Sequence, residues 1–396
     1  MLFHNSPGLL NVNLEIQNNH HAKINSVNPF IVNDSAMLIL KSASTYENNA
    51  RLYIQDNGEL RFRNAAALVI NKYGSVIVEA GGKLVMENHS YITFRPYSEI
   101  RIKQGGLFCN EGARIKGNAN IIYEGGSIHH IMCSSLADFV ISDSAKVILD
   151  SNAVLEIPDS TTISFYGNRT GLVMHPNSVI RFGANSKLLF DSSATFIAKN
   201  ATFTSLDTFG KWEGIVLQNT GEDSVINCTF SNAKTSLALI NTPGHTFYSR
   251  VIKGNVFNVP SGGVESNGIY GENNFRITVQ DNVFNMPANQ SNRIFGVYLK
   301  NNNTTGVESL PDVNEGPAIP FSMFLINNTF YNGTASALLL NYTSSYLPFY
   351  VKGNTFNSAS TAGIIGRNIT GSIKDNVFSN SGSIIPMGIH LIASSP

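Results

Sequence analysis

The chain has 396 residues, of which 14% are charged, and its 27 basic residues balance 27 acidic ones. A net charge of zero gives no field that would favour nucleic acid or an anionic membrane, so we expect neither as a partner. No apolar run approaches the ~20 residues needed to cross a bilayer, so we also predict no membrane span.

Asparagine is the commonest residue, with 48 copies, and it is accompanied by many Ser, Gly and β-branched residues. This composition favours turns and strands over helices. It is also typical of extracellular proteins, although the first residues, "MLFHNSPGLLNVNLEIQ", show no signal peptide. The three cysteines, Cys109, Cys133 and Cys228, are too few for a disulfide framework.

Residues 1–35 show no regular apolar repeat, and we predict an irregular N-terminal segment or cap there. An eight-residue unit then extends to about residue 205: a small residue, two apolar residues at alternating positions, and a turn. Its longest unbroken series of first apolar positions is Leu52, Leu60, Leu68, Val76, Leu84, Ile92, Ile100 and Phe108. Alternation followed by a turn indicates a half-buried strand, and three such units make one 24-residue coil of a β-solenoid.

Charges support this coil length. Outward residues 24 positions apart should lie one strand spacing, about 4.8 Å, from each other. Every pair that this predicts is opposite in sign, as neighbours across parallel strands should be. The pairs are Glu59 with Lys83, Arg63 with Glu87, and Glu79 with Lys103.

From residue 206 to 396 the repeat lengthens to about 27 residues and is marked by a recurring phenylalanine. These phenylalanines are Phe203, Phe230, Phe257, Phe284, Phe330, Phe356 and Phe378. Two positions before the last five stand Asn255, Asn282, Asn328, Asn354 and Asn376. We predict that both residue types stack in columns, because every solenoid repeat must bury a face and satisfy its turns. The repeated "NVF" is therefore interpreted as scaffold.

A small residue followed by an aliphatic one recurs after each phenylalanine. The outward position after this motif reads Val216, Tyr270, Tyr298, Leu339, Ile365 and His390. Two tyrosines on adjacent coils offer a platform on which a sugar ring can stack, so Tyr270 and Tyr298 are candidate binding residues. The alternative is that a loop or a neighbouring chain covers this column.

The regular spacing is interrupted between Phe284 and Phe330 by about 20 extra residues, 301–320. Long loops in a compact repeat array are often functional. This loop is acidic, and its Glu308, Asp312 and Glu315 are further candidate binding residues.

The Asn-x-Phe turns, the small-aliphatic strands and the stretch "TFTS…KWEGIVL" within residues 202–217 resemble the right-handed parallel β-helix, or pectin-lyase-like, superfamily. More narrowly, they resemble the β-helix regions of secreted bacterial surface proteins. The resemblance implies a location outside the cell or on the bacterial cell surface. It implies no single function, because this fold hosts lyases, hydrolases, phage spikes and adhesins.

Enzyme chemistry has little support in the sequence. A lyase of this fold needs acidic Ca²⁺ ligands clustered on stacked coils. The aspartates of the one repeating acidic column, Asp281 and Asp375, are three coils apart. Of the polygalacturonase signatures, which centre on paired carboxylates, only Arg-Ile-Lys is present, at 101–103 and 114–116, and strand alternation explains it.

His129, His130 and Cys133 are close in sequence but lack a fourth ligand, and adjacent histidines on a strand point to opposite faces. We therefore predict a structural role for them and no metal or cofactor.

The sequence thus predicts an all-β protein, a single-stranded right-handed parallel β-helix with three strands per coil of about 24–27 residues. Residues 36–205 form its octad half and residues 206–396 its asparagine-ladder half, continuous with the first. Because the repeat continues to the last residue, we expect further domains of a longer chain or a covering partner at that end.

The favoured function is an extracellular scaffold or adhesin-like module with a polysaccharide bound on a lateral face. One alternative is a polysaccharide lyase or glycoside hydrolase near the 301–320 loop, with Asp281 and Glu272 as catalytic acids and Ca²⁺ as the cofactor of a lyase. Another is a trimeric spike-like protein, in which the apolar column would be a subunit contact.

Overall fold

The computed structural model describes residues 2–3, 8–10, 14–16, 21–24, 30–32, 37–40, 50–87, 89–111, 113–126, 128–130, 139–142, 144–207, 210–220, 223–241, 250–261, 265–274, 277–288, 293–300, 323–342, 349–357, 359, 361–369, 371–379 and 387–392. They belong to two compact units, Met1–Gly210 and Lys211–Pro396. None of the described residues is helical, and so no helix among them is long and apolar enough to cross a membrane.

The first unit consists of short strands. In chain order they are β1 (Leu2–Phe3), β2 (Gly8–Leu10), β3 (Leu14–Ile16), β4 (His21–Ile24), β5 (Phe30–Val32), β6 (Met37–Leu40), β7 (Arg51–Ile54), β8 (Glu59–Phe62), β9 (Ala67–Ile70), β10 (Ser75–Val78), β11 (Lys83–Glu87), β12 (Tyr91–Ile102), β13 (Leu107–Glu111), β14 (Arg114–Tyr123), β15 (Ile128–His130), β16 (Phe139–Ile141), β17 (Lys146–Leu149), β18 (Val154–Ile157), β19 (Thr162–Tyr166), β20 (Gly171–Met174), β21 (Val179–Phe182), β22 (Lys187–Asp191), β23 (Thr195–Lys199) and β24 (Thr202–Ser205).

Strand pairing in this unit shows stacked coils of three strands. β7 pairs with β10, β8 with β11 and β9 with β12, always in parallel and always with partners 24 residues apart. The strands β1–β5 pair in the same way, so the coils extend into the segment that we predicted as irregular or as a cap. The predicted parallel β-helix is therefore confirmed.

The core of this unit is made by the predicted octad positions. Leu52, Ile54, Leu60 and Phe62 are fully buried, and the alternate residues of the same strands are half-buried or exposed. Alternation thus assigns one face of every strand to the core.

The predicted contacts between coils hold for two of the three charge pairs. Glu59 lies 3.5 Å from Lys83, and Glu79 lies 3.1 Å from Lys103. Glu87 instead binds Arg61, at 2.6 Å. The long guanidinium side chain of Arg61 reaches diagonally, so the prediction that Arg63 pairs with Glu87 was wrong.

The second unit contains the remaining strands. In chain order they are β25 (Trp212–Gln218), β26 (Ser224–Ile226), β27 (Thr229–Ser231), β28 (Ala233–Ile240), β29 (Arg250–Lys253), β30 (Val256–Asn258), β31 (Glu265–Glu272), β32 (Ile277–Gln280), β33 (Val283–Asn285), β34 (Arg293–Lys300), β35 (Met323–Ile326), β36 (Thr329–Tyr331), β37 (Ala335–Tyr342), β38 (Phe349–Lys352), β39 (Thr355–Asn357), β40 (Ala362–Ile369), β41 (Gly371–Lys374), β42 (Val377–Ser379) and β43 (Met387–Ile392). Here too each strand pairs in parallel with the third strand after it.

The predicted phenylalanine column is confirmed. From Phe230 to Phe378 each ring stacks on the next, with centroids 4.7–5.0 Å apart and planes within 11°. The first five of these rings are buried, whereas Phe378, in the last described coil, is 36% exposed. A partner or a further domain at this end of the solenoid stays a prediction.

The predicted asparagine ladder is also confirmed. The side-chain oxygen of Asn282 accepts the backbone N–H of Asn255 at 2.9 Å, and the side-chain oxygen of Asn328 accepts that of Asn282 at 3.0 Å. The residue before each rung, from Asn227 to Asp375, has a positive φ of 53–68°. That requirement explains why only Asn, Asp and Gly occupy this column.

Candidate functional site

One sheet of the second unit carries the candidate binding residues on its outward face. β25, β28, β31, β34, β37, β40 and β43 are neighbours in it, and their pairing defines a column of outward positions. The column is Val216, Ala238, Tyr270, Tyr298, Leu338, Ile365 and His390.

This column corrects one expected member. Leu339 is fully buried, and Leu338 takes the outward position opposite Tyr298. The reason is register: Val297 pairs with Ala337, so Ala337 fills the aliphatic position and not the small one. The pairing also adds Ala238, whose strand lacks the small-aliphatic motif on which the prediction was based.

Tyr270 and Tyr298 are adjacent and half-buried, as the spacing predicted. Their ring centroids are 5.4 Å apart and their planes are inclined by 87°, an edge-to-face contact. Phe295, which is nearly buried, supports the Tyr298 ring from the other side at 5.4 Å. The two rings therefore form a step with two perpendicular walls and not one flat platform.

A carboxylate and an ammonium group lie beside these rings, two residues further along the same strands. Glu272 and Lys300 are register partners, and the Nζ atom of Lys300 is 3.2 Å from Oε2 of Glu272. The same Oε2 accepts the hydroxyl hydrogen of Tyr270 at 2.6 Å. Lys300 Nζ also lies 5.5 Å from the centre of the Tyr270 ring, a distance suited to a cation–π contact. We call Tyr270, Glu272, Tyr298 and Lys300 the Tyr270 face.

The electrostatics of this face hold its groups in fixed protonation states. Partial burial and the bond to Glu272 raise the pKa of Tyr270 to about 12, so its phenol is protonated at neutral pH and donates to the carboxylate. The bond to Tyr270 and the neighbouring Glu272 raise the pKa of Lys300, which keeps its positive charge. The face thus presents oriented donors and acceptors next to aromatic surface.

Glu272 and Asp281, the acids of the enzyme alternative, are not brought together. They lie at opposite ends of β32, separated by four residues, or about 13 Å of extended strand. Paired carboxylates of glycosidases are roughly 5 to 9.5 Å apart. Asp281 is in a turn and lies 3.6 Å from Lys253, whereas Glu272 is bonded to Tyr270 and Lys300.

The acidic loop candidates Glu308, Asp312 and Glu315 lie outside the described residues, as does the whole of 301–322. Their part in binding stays a prediction.

Of the short histidine and cysteine cluster, His129 is described fully. It is buried, its Nε2 atom lies 2.8 Å from the carbonyl oxygen of Glu124, and its ring packs edge-on against Tyr123. The His130 side chain and Cys133 lie outside the described part. Among the residues that the structure does describe, no group of three His, Cys, Asp or Glu is placed to hold a metal.

A buried ion pair in the second unit was missed by sequence reasoning. Nε of Arg250 donates to Asp223 at 3.0 Å, and both side chains are almost fully buried. Burial lowers the pKa of Arg250, and Asp223 opposes that effect. The signal was present in the alignment, because Arg250 occupies the inward position that Ile277 fills in the next coil. We assign this pair to the core and not to the site.

Comparison with known proteins adds little to this geometry. No family model and no curated protein matches the chain. Among solved structures it is similar to a double mutant of the periplasmic alginate epimerase AlgG, at 10% identity over 84% of this chain and 77% of that one, with a TM-score of 0.36. It is also similar to the catalytic domain of a GH87 alpha-1,3-glucanase in complex with nigerose, at 9% identity over 94% of this chain and 64% of that one, with a TM-score of 0.31. Strand pairing alone therefore defines the class: the chain is a parallel β-helix protein.

Proposed function

We propose that the protein is a non-enzymatic, extracellular β-helix module that binds a polysaccharide through the Tyr270 face. The observation that carries this proposal is the placement of two half-exposed tyrosines on adjacent coils directly beside a paired carboxylate and ammonium. Aromatic rings bind the apolar face of a sugar, and charged groups accept from or donate to its hydroxyls.

The arrangement is suited to binding because it is organised before the ligand arrives. Glu272 is held by Tyr270 and Lys300, and Tyr298 is supported by Phe295. Side chains that are already ordered lose less entropy when a ligand binds, which increases affinity. The same bonds argue against catalysis, since Glu272 would have to leave both partners to take a proton from a substrate.

An extracellular location has independent support. Cys109 is disulfide-bonded, to a partner outside the described residues. Disulfides persist in oxidising compartments such as the bacterial periplasm and the cell exterior. A single bond in a chain of low charge density fits a secreted or surface-exposed solenoid.

A panel of soluble neutral and acidic polysaccharides, each titrated into the full chain by calorimetry, tests the proposal. For any polysaccharide that binds, the double variant Tyr270→Ala, Tyr298→Ala should lose at least tenfold in affinity, which corresponds to about 1.4 kcal/mol. The expected loss follows from the removal of both ring surfaces that contact the sugar.

Tyr350→Ala is the matched control. Tyr350 stacks on Phe324 with ring centroids 5.3 Å apart, also outward and also between adjacent coils, but on a different sheet segment. Its removal should leave the affinity unchanged. Equal losses in both variants, or no binding by the native chain, would sink the proposal, and release of shortened sugar chains would contradict its non-enzymatic part.

A further inference from the structure

A second aromatic cluster lies at one corner of the first unit, in the turns that follow β9 and the first part of β12. Tyr73 and Tyr97 are 24 residues apart, and their rings stack with centroids at 5.2 Å and planes within 15°. The Nζ atom of Lys72 lies 4.9 Å from the Tyr73 centroid and 5.7 Å from that of Tyr97. With the exposed Arg95 and Lys116 these residues form what we call the basic corner.

The next coil leaves the outer side of Tyr97 uncovered. Phe94 pairs with Gly117 and Ser98 with Ala119, so three residues of the Tyr97 turn are matched by Asn118 alone. The shortened turn has no side chain in the place where a third ring would continue the stack. Tyr97 is accordingly 70% exposed, the largest exposure of any described large apolar or aromatic side chain.

The turn itself does not call for tyrosine. Tyr73 and Tyr97 have φ values of 63° and 65°, a conformation that bulky residues rarely adopt. Gly81 and Gly105 hold the corresponding position at another corner of the same coils. Two tyrosines in a position that favours glycine or asparagine indicate a use for their rings.

Charge is also distributed differently here. On the neighbouring strands of the same coils, Lys83 and Lys103 lie next to Glu59 and Glu79. In the part of the chain that the structure describes, Lys72, Arg95 and Lys116 have no such carboxylate partner.

Arg95 and Lys116 are also close to each other. Lys116 is the register partner of Thr93, one coil spacing of about 4.8 Å and two residues from Arg95, so the two Cα atoms are about 8 Å apart. Positive charges at this spacing repel each other, and a bound anion would relieve that repulsion.

We propose that the basic corner binds an anionic polysaccharide whose acid groups are carboxylates, a polyuronate. A pyranose ring stacks on the open face of Tyr97, and Arg95 and Lys116 hold the carboxylates of the same and the adjoining sugar. An extended nucleic acid fits less well, because three cations at one corner of a chain with no net charge give only a local field.

The test is titration of the full chain with polygalacturonate at about 50 mM salt, where surface charges are only partly screened. The double variant Arg95→Gln, Lys116→Gln should bind at least tenfold more weakly than the native chain. The charge-matched control is Lys83→Gln, Lys103→Gln, which removes two paired lysines away from the corner and should change the affinity less than twofold.

Tyr97→Asn separates binding from folding. Asparagine tolerates the left-handed turn, so the thermal midpoint should not fall, while loss of the ring should weaken polygalacturonate binding at least fivefold. The Tyr270→Ala, Tyr298→Ala variant should bind polygalacturonate as the native chain does, which keeps this proposal distinct from the one for the Tyr270 face.

The proposal is overturned if polygalacturonate does not bind, if the corner variants bind as tightly as the native chain, or if the charge-matched control loses as much affinity. Duplex DNA and phosphatidylserine vesicles serve as competing polyanions. Tighter binding of either one would assign the corner to another class of partner and would equally contradict a polyuronate site.

Discussion

At the scale of single residues, the structure separates side chains that hold the solenoid from those that are available to a ligand. Asn255, Asn282 and Asn328 are buried and bonded to the rung above and to backbone. Tyr270 and Tyr298 have the same repeat spacing but face outward. A repeated motif is therefore structural or functional according to the face on which its side chain lies.

Asn282→Ala should lower the free energy of unfolding by about 2–4 kcal/mol, because several buried backbone and side-chain groups lose a partner at once. These groups include the N–H of Asn255 and the carbonyl of Ile252. Asn376→Ala, at the partly exposed end of the ladder, should cost less than half as much, since water replaces part of the lost bonding. Urea denaturation of both variants measures the difference, and equal costs would show that the ladder is not cooperative with burial.

At the scale of elements, the period-two pattern is sufficient to predict which face of each strand is buried, but not which outward residues are neighbours. The octad positions and the Phe and Asn columns were predictable because burial imposes them on every coil. The pair of Arg61 with Glu87 was not, since a long side chain can reach diagonally. Leu338 was placed wrongly because the register of β37 is set by backbone pairing and not by the local motif.

Each corner of a coil also constrains the residue types that it accepts. A Cβ atom on Gly82 would lie 2.0 Å from the carbonyl oxygen of Ile54 in the preceding coil, whereas one on Gly105 would have ordinary contacts only. Gly105 has a φ of 75°, which asparagine tolerates.

We therefore expect Gly82→Ala to destabilise the protein by about 2 kcal/mol or more, because the backbone of one coil must move away from the next. Gly105→Asn should change stability by less than about 1 kcal/mol. Thermal and urea unfolding of the two variants give the comparison, and a tolerated Gly82→Ala would contradict the close backbone approach.

At the scale of the whole molecule, a chain without net charge keeps its charges in local pairs along the coils, so no long-range field directs its partners. Specificity must then come from short-range features on a regular surface. The class of fold was predictable from the sequence, because the repeat is present in every coil. The Tyr270 face was only partly predictable: the column of Tyr270 and Tyr298 follows from spacing, but the bonds of Glu272 to Tyr270 and Lys300 depend on side-chain geometry.

Hydroxyl-radical footprinting of the native chain, with and without a saturating polysaccharide ligand, tests the central claim most directly. Bound sugar should protect Tyr270 and Tyr298 from oxidation severalfold, because their rings form the contact surface, and should leave Tyr350 as reactive as before. Unchanged oxidation of Tyr270 and Tyr298, with protection found elsewhere in the chain, would contradict a polysaccharide site on this face.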